Sequence, residues 1–161
     1  FNGAPNLYNW KLVGKMEKFI PYNAYKLHEG GLSINSIAGK RYINPNLARY
    51  ELHRVWVVEA NLRTGMKHLY HKRRYYFDED SWQIVSVEEY NERGELVQYT
   101  QAHTINYYEI PMTFPTLEVT YDLEEGRYFA EGLDNMKSPI STDVSFKRRE
   151  FTASSLRREA R

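Results

Sequence analysis

The 161-residue chain contains no cysteine. This absence excludes disulfide bonds, metal sites built on thiolates and catalysis by a cysteine nucleophile, but it says little about the cellular compartment. The chain begins at Phe1 rather than at a methionine, and it shows no signal-peptide pattern. We therefore expect a processed chain or a part of a larger protein.

Long apolar runs and a charge imbalance are also lacking. No run approaches the roughly 20 residues that a membrane-spanning helix needs, so we do not expect an integral membrane protein. The formal net charge is +1, which gives no general attraction to nucleic acid, and we expect no nucleic-acid partner. The sequence has no P-loop, no G-x-G-x-x-G, no G-x-S-x-G and no H-E-x-x-H. These absences leave no familiar catalytic or cofactor motif, and we expect neither a catalytic residue nor a cofactor.

Aromatic residues, by contrast, are abundant at 15%, and 14 of them are tyrosines. They concentrate in residues 70–97, where aromatic and β-branched runs alternate with polar turns at Asp78–Ser81 and Asn91–Gly94. Aromatic and β-branched residues suit a pleated, half-buried surface, and Asp, Asn and Gly suit tight turns. The centre of the chain is therefore predicted to be an antiparallel meander.

The flanking sequence extends the same sheet. Alternation of apolar and polar residues predicts two strands before the meander, at 7–20 and 48–62. The third strand of the meander is 95–108, and a hairpin with strands at 116–122 and 127–133 follows it. Gly14 falls on the apolar parity and indicates a bend or bulge. Residues 22–47, with glycines at 30, 31 and 39 and an Asn44-Pro45-Asn46 cluster, are interpreted as a long connection that covers the sheet. A last short strand is predicted at 145–151, and a helix with Thr152 as its N-cap is predicted at 153–161.

About seven long strands with little helix predict a mainly β fold. We expect a single β-rich domain over residues 1–161, a curved antiparallel meander that forms a half-open or incomplete β-barrel with a short C-terminal helix. A rolled sheet has a concave face that side chains, a helix or a ligand must fill. An incomplete barrel also exposes strand edges, which can recruit another chain or a second copy.

A recurring aromatic stripe is the first candidate site. Ordinary sheet core is one interpretation, and a hydrophobic ligand cavity is the other. Burial of each methylene contributes about 0.8 kcal/mol, so a ten-carbon chain could gain roughly 8 kcal/mol before the costs of binding. The predicted lining residues are Trp10, Tyr50, Trp56, Tyr75, Phe77, Trp82, Tyr99 and Tyr107.

A polar patch on the second strand is the other candidate. Arg49, Glu51 and His53 share one strand face, with Arg54 opposite. The alternatives are an acid–base group, an ion-pair ladder, or a patch that reads a ligand head group or docks another part of the protein. The pair His68-x-x-His71 faces opposite ways on a strand, and the Asp78–Asp80 turn lacks a calcium-loop pattern, so we predict no metal site.

Several separated motifs resemble one bacterial family. They are Asn44–Ala60 (NPNLARYELHRVWVVEA), Tyr76–Ile84 (YFDEDSWQI), YNWKLVGK from Tyr8 and LVQYTQAH from Leu96. The family is a domain of unknown function grouped with the outer-membrane lipoprotein-sorting proteins of the LolA/LolB type. Its members are larger, and the present chain resembles their C-terminal part.

The resemblance implies a periplasmic protein of the Gram-negative envelope, with an unclosed barrel that cradles lipids or other hydrophobic molecules, and association with an envelope transporter or outer-membrane partner. We therefore predict a non-enzymatic periplasmic carrier or binding protein. The alternative is an interaction module that packs against its own N-terminal half, a transporter or an outer-membrane partner, and a homo-oligomer through open sheet edges would also fit.

Overall fold

The computed structural model describes residues 4–133, 135 and 143–160. In these residues the chain forms one antiparallel sheet whose seven strands follow each other in sequence order, each pairing with the next. The strands are β1 (Tyr8–Pro21), β2 (Tyr50–Leu62), β3 (Lys72–Asp78), β4 (Ile84–Tyr90), β5 (Leu96–Tyr107), β6 (Met112–Asp122) and β7 (Arg127–Glu131). The helices are α1 (Tyr25–His28), α2 (Ile34–Ile37) and α3 (Ala153–Glu159), with 3₁₀ turns at Pro5–Leu7 and Arg148–Glu150.

The sheet is strongly curved but not closed. The paired ends of β1 and β2 reach β5, although β3 and β4 lie between them in the sheet order. The Thr104 hydroxyl donates to the Pro21 carbonyl at 3.3 Å, and the Tyr50 hydroxyl donates to the Gln101 side chain at 3.1 Å. The predicted open, curved meander is therefore confirmed.

Curvature gives the sheet two unlike faces. Cross-strand partners point to the same side, so the ladders identify each face. One row crosses the sheet through Val57, Tyr76, Ser86, Gln101, Val119 and Ala130, and all of these are buried except the half-buried Ala130. We call this side the covered face. The neighbouring row on the opposite side is Leu12, Val58, Tyr75, Val87, Thr100, Thr120 and Phe129, of which Tyr75 alone is fully buried. We call that side the open face.

Residues 22–47 provide the cover, as predicted. Leu27 of α1 and Ile37 of α2 are fully buried against Ile105, Leu117 and Val119 of β5 and β6. The segment is fixed to the sheet by hydrogen bonds, among them one from the Ala24 amide to the Thr104 carbonyl at 2.9 Å. A second core on this face joins Ile20, Val55, Val57, Tyr76 and Val85.

A β-bulge in β1 corrects one part of the sequence interpretation. Uninterrupted alternation would place Met16 and Ile20 on the same side as Tyr8, Trp10 and Leu12, but the register shifts between Leu12 and Gly14. The extra residue reverses the alternation, so that Met16 pairs with Val55 on the covered face. Gly14, at φ +135°, permits this local conformation, and the bulge that its position indicated is confirmed.

Two other boundaries differ from the prediction. The strand predicted at 116–122 begins earlier, at Met112, and includes Pro115 at a point where the register shifts opposite His103 and Thr104. A proline is tolerated at such a bulge because no ladder donor is needed there. The strand predicted at 145–151 is wrong: residues Arg148–Glu150 form a 3₁₀ turn, and the Lys147 amide before it donates to the Glu150 carboxylate. The following helix is confirmed, and the Thr152 side chain caps it by accepting from the Ser155 amide.

Candidate functional site: the open face of the sheet

The open face exposes apolar side chains along β1 and β2. Leu12 is 62% exposed, Phe19 is 66% exposed and Leu52, the cross-strand partner of Phe19, is 55% exposed. Next to them Trp10 lies 5.8 Å from the Tyr75 ring, centroid to centroid. Exposed apolar side chains on one face, here interrupted by the charged Lys15 and Arg54, are a feature of binding or docking surfaces.

A groove of about 440 Å³ continues this surface over β3–β7. Tyr75, Ile84 and Val87 form its apolar side, and they pack in one cluster with Phe77 and Val58. The opposite side is polar and includes Gln98, Thr100, Thr120, Glu118 and Glu131. The groove is therefore amphipathic, with an apolar wall toward β2 and a polar wall toward β7.

An ion pair is buried at one end of the groove. Nε of Arg73 lies 3.2 Å from a carboxylate oxygen of Glu89, and their side chains are 2% and 10% exposed. Gln98 donates a hydrogen bond to the other carboxylate oxygen of Glu89. Burial raises the pKa of Glu89, while Arg73 and the Gln98 hydrogen bond partly oppose the shift. A buried ion pair of this kind is costly to break from one side.

The loop between β2 and β3 covers this end of the groove. The guanidinium of Arg73 lies 5.2 Å from the ring centroid of Tyr8 in β1 and 5.2 Å from that of Tyr70 in the loop. The Tyr8 hydroxyl donates to the Tyr70 carbonyl at 2.9 Å, and the Tyr70 hydroxyl donates to Gln98 at 2.6 Å. Burial raises the pKa of both tyrosines. The pKa of His68 is lowered, chiefly by burial and secondly by the positive charge of Arg73.

The far wall of the groove carries two carboxylates side by side. Glu118 of β6 is the cross-strand partner of Glu131 of β7. Partial burial raises the pKa of Glu118, and the charge of Glu131 raises it further. Beside them the Thr100 and Thr120 hydroxyls are 3.0 Å apart. Like charges opposite each other destabilise a strand pair, so this wall favours a polar occupant.

The predicted aromatic stripe is divided between different surfaces. Trp10, Trp56, Tyr75 and Phe77 come together on the open face, and Trp56 and Phe77 are cross-strand partners. The other four lie elsewhere. Tyr50 and Tyr99 reach the covered face near Gln101, Tyr107 packs against the cover, and Trp82 is 67% exposed in the β3–β4 turn with φ +58°. The lining role predicted for all eight remains a prediction.

The predicted polar patch is assembled at the β1–β2 end of the covered face. Arg49 donates to Glu51 at 3.0 Å, and Nε2 of His53 lies 3.8 Å from Glu51. Nδ1 of His53 lies 2.9 Å from a carboxylate oxygen of Asp78. Arg54, on the opposite side, pairs with Glu79. The contacts of His53 with Asp78 and of Arg54 with Glu79 join β2 to the β3–β4 turn.

His53, Asp78 and Asp80 are the group among the described residues that could offer three metal ligands within 4.8 Å. Asp78 is fully buried, and its second oxygen accepts from both the amide and the hydroxyl of Ser81. Its oxygens are thus committed to holding the turn. Through these hydrogen bonds Asp78 stabilises the turn that follows β3.

Sequence reasoning missed three buried groups. Arg73 lies in the basic run Lys72-Arg73-Arg74, but its parity with Tyr75 and Phe77 places it on the same strand face. Glu89 shares the face of Val87 and carried no distinguishing signal of its own. His103 is fully buried with its ring 6.0 Å from Tyr50, and burial lowers its pKa to about 4. Residues that contact His103, such as Tyr50, are distant from it in sequence, so no local pattern reveals its burial.

Among the described residues, every helix is too short or too polar to cross a bilayer. The family model of a protein of unknown function, DUF1329, matches residues 1–157. An uncharacterized protein of Pseudomonas aeruginosa is 42% identical over 160 residues, which are 99% of this chain and 35% of that protein. The chain thus spans about a third of that relative's length.

Two solved structures are similar. A crystal structure of a DUF1329 family protein from Desulfovibrio piger has a TM-score of 0.47 at 13% identity, covering 94% of this chain and 48% of that one. A Vibrio parahaemolyticus domain named for outer membrane lipoprotein sorting has a TM-score of 0.46 at 14% identity, covering 81% of this chain and 58% of that one. The family match agrees with the resemblance of the separated motifs, and the chain belongs to the DUF1329 family of proteins of unknown function.

Proposed function

We propose that this chain forms the binding surface of a non-enzymatic envelope protein that holds lipids or other hydrophobic molecules. The observation that carries the proposal is the uncovered, aromatic open face with its amphipathic groove of about 440 Å³. A groove of this size is in the range of small-molecule sites, and an apolar wall with a few polar groups is their usual lining. Binding and release on such a surface require no catalytic group.

The periplasmic setting is part of the same proposal and is supported by the resemblance of the separated motifs to the lipoprotein-sorting group. Fractionation of cells that produce the full-length protein tests it. Recovery with the periplasmic or outer-membrane fraction is expected, and recovery in the cytosol would remove this part of the proposal.

The direct test is binding of a hydrophobic fluorescent probe. A naphthylamine dye should bind the 161-residue chain with increased fluorescence, and a long-chain fatty acid or lysophospholipid should displace it. Ile84→Ser and Val87→Ser remove apolar surface from the groove wall, and each should weaken binding by about tenfold, the effect of losing most of one apolar contact.

Tyr108→Ser is the matched control. Tyr108 is 74% exposed and follows β5, away from the groove, so its loss should leave dye affinity unchanged. Unchanged affinity in both groove variants, with circular dichroism showing them folded, would exclude the groove as the binding site. Native mass spectrometry of the purified chain then asks which lipids copurify.

A second candidate function is supported by the open edge of β1. This 14-residue strand lies at the end of the sheet order, and the chain spans 35% of its relative. The remaining part of the full-length protein could then pack on the open face and edge. Hydrogen exchange distinguishes the two functions: protection of β1 and β2 in the full-length protein without ligand favours packing, whereas protection only with ligand favours the carrier.

A further inference from the structure

The C-terminal arm, residues 143–160, forms a small unit with its own hydrogen bonds. The Ser155 hydroxyl donates to the Arg149 carbonyl at 3.3 Å and accepts from the Arg158 guanidinium at 2.9 Å. These bonds tie α3 to the preceding 3₁₀ turn. The hydrogen bonds found for the described residues of the arm all join two residues of the arm.

One side of the arm is apolar and exposed. Phe146, Phe151 and Leu156 are 65%, 75% and 69% exposed, and the two phenylalanine rings meet edge to face at 5.8 Å. The three side chains line a common depression with Ala153 and Thr152, and the carboxylates of Glu150 and Glu159 lie at the same depression. In water this is an unfavourable arrangement for a unit of 18 residues, because large apolar side chains in contact remain largely hydrated.

The adjoining side is basic. The arm has five basic side chains against three acidic ones, whereas the whole chain is nearly neutral with 22 against 21. Arg149 and Arg158 line one pocket with the hydroxyl side chains of Thr152, Ser154 and Ser155. Two guanidinium groups and hydroxyls around one pocket are suited to the oxygens of a phosphate.

Glu150 also lines this pocket, so two guanidinium groups face one carboxylate there and a net positive charge remains. The Glu150 carboxylate accepts from the Lys147 amide at 3.1 Å. Among the described residues, the ion pairs found within 4.0 Å include none with Arg149 or Arg158. The arm therefore presents cationic charge directly beside exposed aromatic surface.

We propose that the C-terminal arm binds the surface of membranes that contain anionic phospholipids. Arg149 and Arg158 contact lipid phosphates, and Phe146, Phe151 and Leu156 enter the boundary between head groups and acyl chains. Basic and aromatic side chains adjacent on a short amphipathic unit bind such an interface, and charge complementarity favours anionic lipids over neutral ones. This inference is independent of the groove, which lies on the sheet.

The test is cosedimentation of the 161-residue chain with vesicles. One set is phosphatidylcholine alone, and the other is an equal mixture of phosphatidylcholine and phosphatidylglycerol. Binding to the mixed vesicles should exceed binding to the neutral ones and should fall with added sodium chloride. The double substitution Arg149→Gln and Arg158→Gln should weaken binding roughly thirtyfold, since each cation near an anionic surface contributes a factor of roughly five.

Phe151→Ser should weaken binding to mixed vesicles about tenfold by removing apolar burial. Arg127→Gln is the matched control for charge, because Arg127 is an exposed arginine in the β6–β7 hairpin. It should bind within twofold of the unsubstituted chain if position rather than total charge matters. The groove variant Val87→Ser should also bind vesicles normally, which separates failure here from failure of the proposed carrier function.

Four results would overturn the inference. The first is equal binding to neutral and mixed vesicles, or none to either. The second is loss of binding with Arg127→Gln as large as with the double substitution. The third is displacement from vesicles by inorganic phosphate more strongly than by sodium chloride of equal ionic strength, which would identify the pocket as a site for a free anion. A dimer that depends on Phe151 in light scattering would likewise replace the membrane by a second copy.

Discussion

Replacement of Arg73 by methionine tests the buried ion pair at the end of the groove. Arg73→Met leaves Glu89 buried with only the Gln98 hydrogen bond. Removing one partner of a buried pair costs about 3–5 kcal/mol, because the other charge stays desolvated. In a chain of this length each kcal/mol lowers Tm by roughly 2–4 °C, so we expect a fall of roughly 6–20 °C.

The pH dependence of this loss identifies its cause. Burial already holds the pKa of Glu89 above its ordinary value, and the attraction of Arg73 opposes that shift. Without Arg73 the pKa of folded Glu89 rises further above that of the unfolded chain. The folded state then binds a proton more tightly, so the variant gains stability as pH falls toward the ordinary glutamate pKa of about 4.3. It loses that stability as pH rises through the raised pKa.

Thermal and urea denaturation followed by circular dichroism measures the effect. Adding Glu89→Gln to Arg73→Met removes the unpaired charge and should restore at least half of the lost stability at neutral pH. Arg54→Met is the control, because Arg54 forms an exposed pair with Glu79 and its loss should change Tm very little. If Arg73→Met is no worse than Arg54→Met, or if Glu89→Gln gives no recovery, the pair does not act as described.

Three further predictions concern stability. His103 is buried with a pKa of about 4 against 6.5 ordinarily. The unfolded chain therefore takes up this proton first, and the free energy of unfolding should fall by about 3 kcal/mol as pH drops from about 6.5 to 4. His103→Leu should flatten that part of the denaturation profile. Gly14→Ala should cost about 1–3 kcal/mol at the φ +135° bulge, whereas Gly30→Ala, whose added Cβ meets open space, should shift the urea midpoint little. Asp78→Ala should cost about 2–4 kcal/mol because three hydrogen bonds are lost in a buried site, while Asp80→Ala, on an exposed side chain, should leave the midpoint unchanged.

The meander could be predicted because its signals are local. The Asn91–Gly94 turn is fixed by the Asn91 side chain, which accepts from the amides of Arg93 and Glu95, and Gly94 adopts φ +78°. Residues close in sequence make these contacts, so residue type and spacing suffice to identify them. The cover over the sheet could be predicted for a related reason, since a connection that long is uncommon unless it packs or functions.

The assignment of residues to the two faces of the sheet could not be predicted as well as the meander. One bulged residue at Val13–Gly14 moves Met16 to the covered face, and alternation carries no mark of the shift except the glycine itself. Tyr50 shows the same limit at longer range. Its hydroxyl meets Gln101 because the paired strands β1 and β2 curve past β3 and β4 to reach β5, and curvature is a property of the whole sheet.

The contrast between the faces restricts what the open one can hold. On the covered face, α1 and α2 supply the apolar side chains that Ile105 and Val119 require. On the open face the β2–β3 loop reaches only the Arg73 end, and the rest of the groove keeps an apolar wall near Val87 and a carboxylate wall near Glu118.

A wholly apolar occupant would leave the carboxylate wall desolvated without a hydrogen bond, at a cost larger than one buried side chain returns. A wholly polar occupant would leave the apolar wall hydrated. A ligand of the proposed kind must therefore be amphipathic, with its polar end at β6–β7 and its apolar body toward β1–β3. Glu118→Gln should consequently change affinity for charged head groups while leaving the affinity for a neutral alkyl probe within twofold.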